Sequence, residues 1–234
     1  MNPILVALDV ESAARAVELA EVLRGSVGGF KIGKQLFTAA GPAMVRELTS
    51  RGDRVFLDLK FHDIPNTVAG AVQSAIGTGA WMVNVHASGG SAMMQAAAEA
   101  ARKTAEKLQQ PRPLVIAVTV LTSMDDQALK EIGVARPMVD QVVHLAMLAQ
   151  AAGLDGVVAS PQEIEAIRKA CGSDFQIVTP GIRPADQQGK DDQARTLTPA
   201  QAVAAGASYL VIGRPITAAP NPREAAERIA ATLP

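Results

Sequence analysis

Short apolar runs alternate along the chain with longer stretches in which apolar residues recur every three or four positions. In the first pair, residues 4–9 are apolar up to a terminal acid, and residues 13–23 repeat alanine, valine and leucine at helical spacing. The run predicts a buried strand, and the second stretch predicts a helix that packs against it. Eight such units follow one another, with predicted strands at 4–9, 29–33, 54–59, 81–86, 114–120, 156–160, 175–178 and 209–213.

The predicted helices fill the intervals between these strands. The fifth interval, about 125–152, should break near Gly133 and Pro137 because both residues interrupt a helix. The other helices are predicted at 13–23, 34–50, from 65 onward, in the alanine-rich stretch that ends at 108, and at 161–170, 199–205 and 222–233.

The apolar runs have no clean alternation of apolar and polar residues, which is typical of parallel strands covered on both faces. Eight strand-and-helix units in 234 residues fit a closed (β/α)8 barrel. We therefore predict an α/β protein with a single TIM-barrel domain over residues 1–234. An open, doubly wound sheet is the alternative. No Gly-x-Gly-x-x-Gly turn follows the first strand, which disfavours the dinucleotide-binding form of that alternative.

The composition narrows the classes of partner. A net charge of −1 provides no basic surface for nucleic acid, and an aromatic content of 3% is too low for base-stacking platforms. No apolar run is long enough to span a membrane, and the first predicted strand begins without a charged leader before it. We therefore expect a cytoplasmic protein with small-molecule partners. The single cysteine, Cys171, excludes an intrachain disulfide and a thiolate metal cluster.

The segment 58–67 reads Asp-Leu-Lys-Phe-His-Asp-Ile-Pro-Asn-Thr and continues an apolar run. Because side chains alternate along a strand, Asp58 and Lys60 should point to the same side at its carboxyl end. An isolated Asp-x-Lys pair is most often a structural ion pair. In a barrel, however, all strand ends meet at one mouth, and the residues that converge there favour catalysis. They are Asp9, Lys31, Asp58, Lys60, His86, Thr122, Arg183 and Arg214.

The loops after the seventh and eighth strands have the features of a phosphate site. Gly213 permits close backbone approach, and the Arg214 guanidinium can bind a phosphate in a fork, although Gly-Arg alone is also a common turn. The loop at about 180–198 is long for a compact domain, so we expect a phosphate-binding lid; a solvated loop is the alternative. Its candidate donors are Arg183, Lys190, Gln193 and Arg195.

A phosphorylated substrate at a mouth of lysines and aspartates indicates chemistry that needs neither thiol nor metal. Asp58 is a poor metal ligand, because the lysines on either side would compete with a cation. The ammonium groups favour the ionised form of Asp58, and Lys60 can give a proton to a carbon that becomes negative. The three histidines, His62, His86 and His144, lack ligand spacing.

The segment 58–67 closely resembles the signature of the orotidine 5'-phosphate decarboxylase family, which makes UMP at the end of pyrimidine synthesis. Further segments are similar to the bacterial branch of that family and occur in the same order. They are residues 5–9, 31–34, 84–90, 118–124, 179–184 and 212–215. The resemblance therefore spans nearly the whole chain. It implies a homodimeric barrel that converts orotidine 5'-phosphate (OMP) to UMP and CO2 without metal or cofactor.

The resemblance also implies a role for each matching residue. Lys31, Asp58 and Lys60 would form a charge network that the partner subunit's Asp63 completes, with Lys60 protonating C6 of the pyrimidine and Asp58 facing the substrate carboxylate. Gln193 is preferred as the glutamine of the lid over Gln187 and Gln188. The substrate-binding residues would be Asp9 and Lys31 at the ribose, Thr67 at the partner's ribose, Thr122 at the pyrimidine, and Arg183, Gln193, Gly213 and Arg214 at the phosphate.

Two other functions stay open at this point. A sugar-phosphate decarboxylase or aldolase of the same superfamily shares the Asp-x-Lys but uses magnesium. Lys31 argues against it, since those relatives have a metal-binding glutamate on the second strand. A non-catalytic phosphate-binding barrel would be expected to have a damaged charge network, whereas each member is present here. The balance between repulsion of the substrate carboxylate and stabilisation of the carbanion also stays open.

Overall fold

Eight parallel strands form a closed barrel in the computed structural model, which describes residues 2–184 and 196–234. Each strand pairs with the next along the chain, and β8 pairs with β1. The closed order confirms the predicted (β/α)8 TIM barrel over the open sheet. The strands are β1 Ile4–Ala7, β2 Gly29–Gly33, β3 Val55–Phe61, β4 Met82–His86, β5 Leu114–Val118, β6 Gly156–Val158, β7 Gln176–Thr179 and β8 Tyr209–Ile212.

Helices surround the barrel and connect its strands. The first one matches its predicted bounds because the Ser12 side chain caps it by accepting a hydrogen bond from the backbone N–H of Arg15. Within residues 2–184 and 196–234, no helix has both the length and the apolar character needed to cross a membrane. The helices are α1 Ala13–Leu23, α2 Lys34–Ser50, α3 Pro65–Ile76, α4 Gly90–Leu108, α5 Asp126–Glu131, α6 Met138–Ala151, α7 Ile164–Cys171, α8 Pro199–Ala204, α9 Arg214–Thr217 and α10 Pro222–Ala230.

Apolar side chains pack in two layers, one inside the barrel and one between the strands and the helices. Strand β1 shows the division, since Ile4 and Val6 belong to the outer layer while Leu5 and Ala7 belong to the inner one. Burial on both faces explains why the strands lack polar alternation. The buried inner layer, which forms the floor beneath the barrel mouth, consists of Leu5, Ala7, Phe56, Met82, Ile116, Val178 and Val211.

Strand β3 departs from its prediction. It runs to Phe61 rather than ending at Leu59, and Lys60 adopts a left-handed backbone with φ +54°. Its pairing with β4 shifts register between Leu57 and Phe61. The prediction assumed regular alternation, whereas the strand bulges. Even so, Asp58 and Lys60 both line the barrel mouth, as predicted.

Some helix boundaries were predicted correctly from the local sequence pattern, and others were not. The predicted break at Gly133 and Pro137 is confirmed, because Gly133 has φ +81° and α6 begins directly after the proline. Two features were not predicted: a kink in α2 at Gly41, where φ is +65° and a proline follows, and the short helix α9 after β8. Strands β5 and β6 end at Val118 and Val158, earlier than predicted.

Candidate active site

A cavity of about 370 Å³ opens at the carboxyl ends of the barrel strands, which is a size suited to a small ligand. The residues predicted from separate strands meet there, while apolar side chains of the inner layer form part of its wall. The predicted site residues that line the cavity are Asp9, Lys31, Asp58, Lys60, Thr122, Arg183, Gly213 and Arg214. The structure therefore places both the charged motif and the predicted phosphate end in a single cavity.

Lys31 lies between two carboxylates. Its Nζ atom is 3.0 Å from Asp9 Oδ1 and 3.5 Å from Asp58 Oδ2, and its side chain is only 9% exposed. Gly33, on the same strand, leaves room for this arrangement, because an added Cβ there would lie 2.9 Å from both Asp9 Oδ1 and Lys31 Nζ. A buried ammonium thus fills the space that a metal ion bound by the same two carboxylates would need.

Asp58 connects the two lysines of the site. Its Oδ1 atom lies 2.7 Å from Lys60 Nζ, and the same oxygen accepts a hydrogen bond of 2.7 Å from Asn84 Nδ2. The ion pair is largely shielded from solvent, since the side chains of Asp58 and Lys60 are 13% and 24% exposed. The two lysines and the Asn84 amide thus fix the position of the Asp58 carboxylate.

Two histidines lie at the edge of this network but do not line the cavity. The rings of His62 and His86 are 5.4 Å apart between centroids. Burial, helped by the nearby His62, Lys34 and Lys60, lowers the pKa of His86 to about 4, while Asp58 acts in the opposite direction. His86 is therefore neutral at physiological pH and acts as a packing group at the end of β4.

The predicted phosphate end combines a glycine turn, a buried arginine and the start of α9. Gly181 has φ +76°, a conformation that favours glycine, and Arg183 is only 7% exposed. The described ends of the predicted lid are joined, because Ile182 forms a β-bridge with Leu197 and the Arg183 backbone N–H donates to Leu197 O at 3.1 Å. The glutamine candidates and two further lid donors, Gln187, Gln188, Lys190, Gln193 and Arg195, lie outside the described residues.

The structure does not bring Asp63 and Thr67 to the cavity of their own chain. Both residues are exposed, and the Asp63 carboxylate accepts a 2.6 Å hydrogen bond from the backbone N–H of Ile64. Within residues 2–184 and 196–234, the structure shows no ion pair of Asp63 with a lysine or arginine. Ile64 between them is 66% exposed.

Sequence reasoning missed two residues that shape the site. Asn84 and Gly33 both lie within segments that are similar to the family, 84–90 and 31–34. Neither residue was assigned a role from the sequence. A signal for Asn84 was present in the sequence, because it is an uncharged polar residue inside the apolar run of β4. A buried amide needs hydrogen-bond partners, so it indicates a polar neighbour on an adjacent strand. Gly33 gave no comparable signal, since its role depends on a contact between β1 and β2 that the pattern does not contain.

Comparison with known proteins gives one consistent result. The family model described as "Orotidine 5'-phosphate decarboxylase / HUMPS family" matches residues 2–229. The orotidine 5'-phosphate decarboxylase of Moorella thermoacetica is 58% identical over 233 residues, which are 99% of this chain and 92% of that protein. That of Paramagnetospirillum magneticum is 54% identical over 233 residues, 100% of this chain and 99% of the relative. The crystal structure of orotidine 5'-phosphate decarboxylase from Lactobacillus acidophilus superimposes with a TM-score of 0.86 at 37% identity, covering 100% of this chain and 99% of that one.

Proposed function

The chain belongs to the orotidine 5'-phosphate decarboxylase / HUMPS family, and we propose how its barrel mouth converts OMP to UMP and CO2 in pyrimidine biosynthesis. The observation that carries the proposal is the row of alternating charges, Lys31, Asp58 and Lys60, that lines the cavity. A row of this kind can bind an anionic substrate and still place one ammonium group where negative charge develops on carbon.

Substrate binding begins with the phosphate group. Arg214 and the backbone at Gly213 bind the phosphate, with Arg183 beside them at the base of the lid. Asp9 and Lys31 bind the ribose hydroxyls, and Thr122 contacts the pyrimidine. The loop 180–198 acts as the lid, with Gln193 as its phosphate ligand. Binding energy from the phosphate and ribose then holds the pyrimidine carboxylate against Asp58.

The chemical step breaks the bond between C6 and the carboxylate carbon. The electron pair of that bond stays on C6, and the carboxylate leaves as CO2. Lys60 stabilises the negative charge with its ammonium group and transfers one proton from Nζ to C6, which completes UMP. Lys60 is then neutral and regains a proton from solvent. Asp58 holds the Lys60 ammonium in place, since its Oδ1 is 2.7 Å from Nζ.

The reaction is proposed to need neither metal nor cofactor. The ammonium of Lys31 already supplies a positive charge between Asp9 and Asp58, at 3.0 and 3.5 Å from their oxygens. A magnesium ion at this position would have to displace it against charge repulsion. This contact supports the decarboxylase of OMP over the magnesium-dependent sugar-phosphate enzyme that the sequence left open.

We also propose a homodimer with shared active sites. Asp63 and Thr67 are exposed outside the cavity of their own chain, and Ile64 presents an apolar side chain between them. An exposed apolar side chain beside polar ones can be buried when two subunits pack together. Across a two-fold axis this segment would place the partner subunit's Asp63 beside Lys60 and the partner subunit's Thr67 at the ribose.

We further propose a cytoplasmic location. A free nucleotide as substrate and the buried thiol of Cys171, which forms no disulfide, support it.

One assay tests the proposed function. Purified protein is incubated with OMP, with and without EDTA, and the conversion to UMP is followed by ultraviolet absorbance. We expect equal rates under both conditions. Activity that disappears with EDTA and returns with magnesium would contradict the metal-free mechanism. No conversion under either condition would contradict the proposal that OMP is the substrate.

A further inference from the structure

We propose that Asn84 is a positioning residue that fixes the geometry of both Asp58 and Lys60. The inference rests on the proposed function, since it assigns a role to a residue that would not itself touch OMP. Asn84 lies in the middle of β4 and is 0% exposed. It is absent from the lining of the cavity, whereas Asp58 and Lys60 on the neighbouring strand both line it.

The backbone of β3 explains why a side chain is needed here. Leu57 pairs with Val83 and Phe61 pairs with Val85, so a step of four residues on β3 faces a step of two on β4. The intervening bulge contains Asp58 and Lys60, whose backbone therefore lacks regular ladder partners on β4. Asn84 is the single residue of β4 between the two paired positions.

The Asn84 amide satisfies this bulge with both of its polar atoms. Its Oδ1 accepts a 2.8 Å hydrogen bond from the backbone N–H of Lys60, and its Nδ2 donates a 2.7 Å hydrogen bond to Asp58 Oδ1. Lys60 has φ +54°, a conformation that costs a non-glycine residue free energy and persists only when its surroundings hold it. One amide thus holds the strained backbone of the proton donor and orients the carboxylate that pairs with its ammonium.

Only a side chain with a donor and an acceptor on one short stem can do both. Leucine has a similar shape without either atom, so Asn84→Leu should lower kcat for OMP by about 10- to 100-fold, the usual effect of losing a hydrogen bond to a charged group. KM should change less than about threefold, because phosphate and ribose contacts are untouched. Thr119→Val is the matched control, since it removes a buried 3.2 Å hydrogen bond to Val158 O on the next strand without contact to the charge row.

Asn84→Asp gives a second readout that a merely structural role would not change. The carboxylate that it introduces keeps the acceptor for Lys60 but repels Asp58, so kcat should be low at neutral pH. At lower pH the two carboxylates share one proton, and the protonated carboxyl group of the variant side chain can again donate a hydrogen bond to Asp58. The ratio of variant to wild-type kcat should therefore rise as pH falls. The ratio is used because the charged and titratable groups that face this carboxylate, Lys31, Lys60 and His86, are the same in both proteins.

The experiment measures kcat and KM for OMP from pH 5 to 8 in wild-type, Asn84→Leu, Asn84→Asp and Thr119→Val proteins, with circular dichroism to verify folding. A wild-type kcat in Asn84→Leu would overturn the assignment, as would a variant-to-wild-type ratio for Asn84→Asp that does not change with pH. If Asn84→Leu does not fold, the Asn84→Asp ratio decides alone. Wild-type protein that leaves OMP unchanged would instead overturn the proposed function.

Discussion

Replacing Lys60 by alanine tests the central step of the mechanism. The substitution removes an ammonium group whose Nζ lies 2.7 Å from Asp58 Oδ1 and which lines the substrate cavity. A unit charge about 4 Å from a developing carbanion is worth about 4 kcal/mol at an effective dielectric constant of about 20, or roughly a thousandfold in rate. Loss of general acid catalysis adds a further factor of about 10² to 10⁴. We therefore expect kcat to fall by at least about a thousandfold.

Binding should change much less than turnover in the Lys60→Ala protein. The proposed phosphate and ribose contacts belong to Arg214, at the start of α9, and to Asp9, after β1, so KM for OMP or the affinity for UMP should stay within about tenfold of wild type. The assay combines ultraviolet turnover of OMP with UMP binding by calorimetry. A loss that appears mainly in KM would remove Lys60 from the chemical step.

Two further variants separate charge from proton transfer. Lys60→Arg keeps a positive charge near Asp58 but holds its proton too tightly to donate it, so it should recover part of the electrostatic contribution and little of the acid catalysis. Lys103→Ala is the control, because it removes a surface lysine that is 65% exposed and pairs with Glu99 at 3.1 Å. Its activity should equal that of wild type. If Lys60→Arg has wild-type activity, proton donation by Lys60 is wrong.

Four shorter predictions address the interface, the phosphate end, stability and the lid. After random subunit exchange, a mixture of Lys60→Ala and Asp63→Ala proteins should recover about a quarter of wild-type activity, because about half of the dimers are then mixed and one of the two sites in each mixed dimer is intact; recovery of none after verified subunit exchange would contradict the shared site. Arg214→Ala should raise KM for OMP strongly and change turnover of orotidine, which lacks the phosphate, very little; equal losses would contradict a phosphate contact. Because burial lowers the pKa of His86 to about 4, the contribution of this residue to the unfolding free energy should be complete above about pH 6.5 and be lost, by about 3 kcal/mol at most, as the pH falls to 4; the difference in unfolding free energy between wild-type and His86→Gln proteins, from urea titration, should follow that slope. Amide exchange in the loop 180–198 should slow when UMP binds, and equal exchange with and without UMP would contradict a lid.

The barrel could be predicted from the sequence because its signals are local. Helix α1 begins after a capping serine and ends where the apolar spacing ends, so residues 13–23 were identified from pattern alone. The break between α5 and α6 follows from Gly133 and Pro137 in the same way. The shared direction of Asp58 and Lys60 was likewise correct. Each of these features depends on residues within a few positions of one another.

The bulge in β3 could not be predicted, because its cause lies on another strand. Nothing between Val55 and Phe61 indicates a left-handed residue, and lysine is a poor choice for that conformation. The conformation is held by Asn84, which is 24 positions away in the sequence. Gly33 is a similar case, since its contacts with Asp9 and Lys31 appear only when β1 and β2 are neighbours. Local pattern therefore located the chemical groups but not the contacts that orient them.

These orienting contacts bear on how the decarboxylation is divided between Asp58 and Lys60. In the proposed mechanism, Asp58 faces the substrate carboxylate, so its repulsion is relieved when CO2 leaves, whereas Lys60 attracts the charge that then stays on C6. The same Asp58 oxygen, however, accepts hydrogen bonds from both Lys60 and Asn84. Removing Asp58 would abolish the repulsion and also release the Lys60 ammonium from its position. The two effects are therefore coupled through one atom, and the losses from single substitutions at Asp58 and Lys60 should not add. In this arrangement, ground-state repulsion and carbanion stabilisation are consequences of one ion pair rather than two separate contributions.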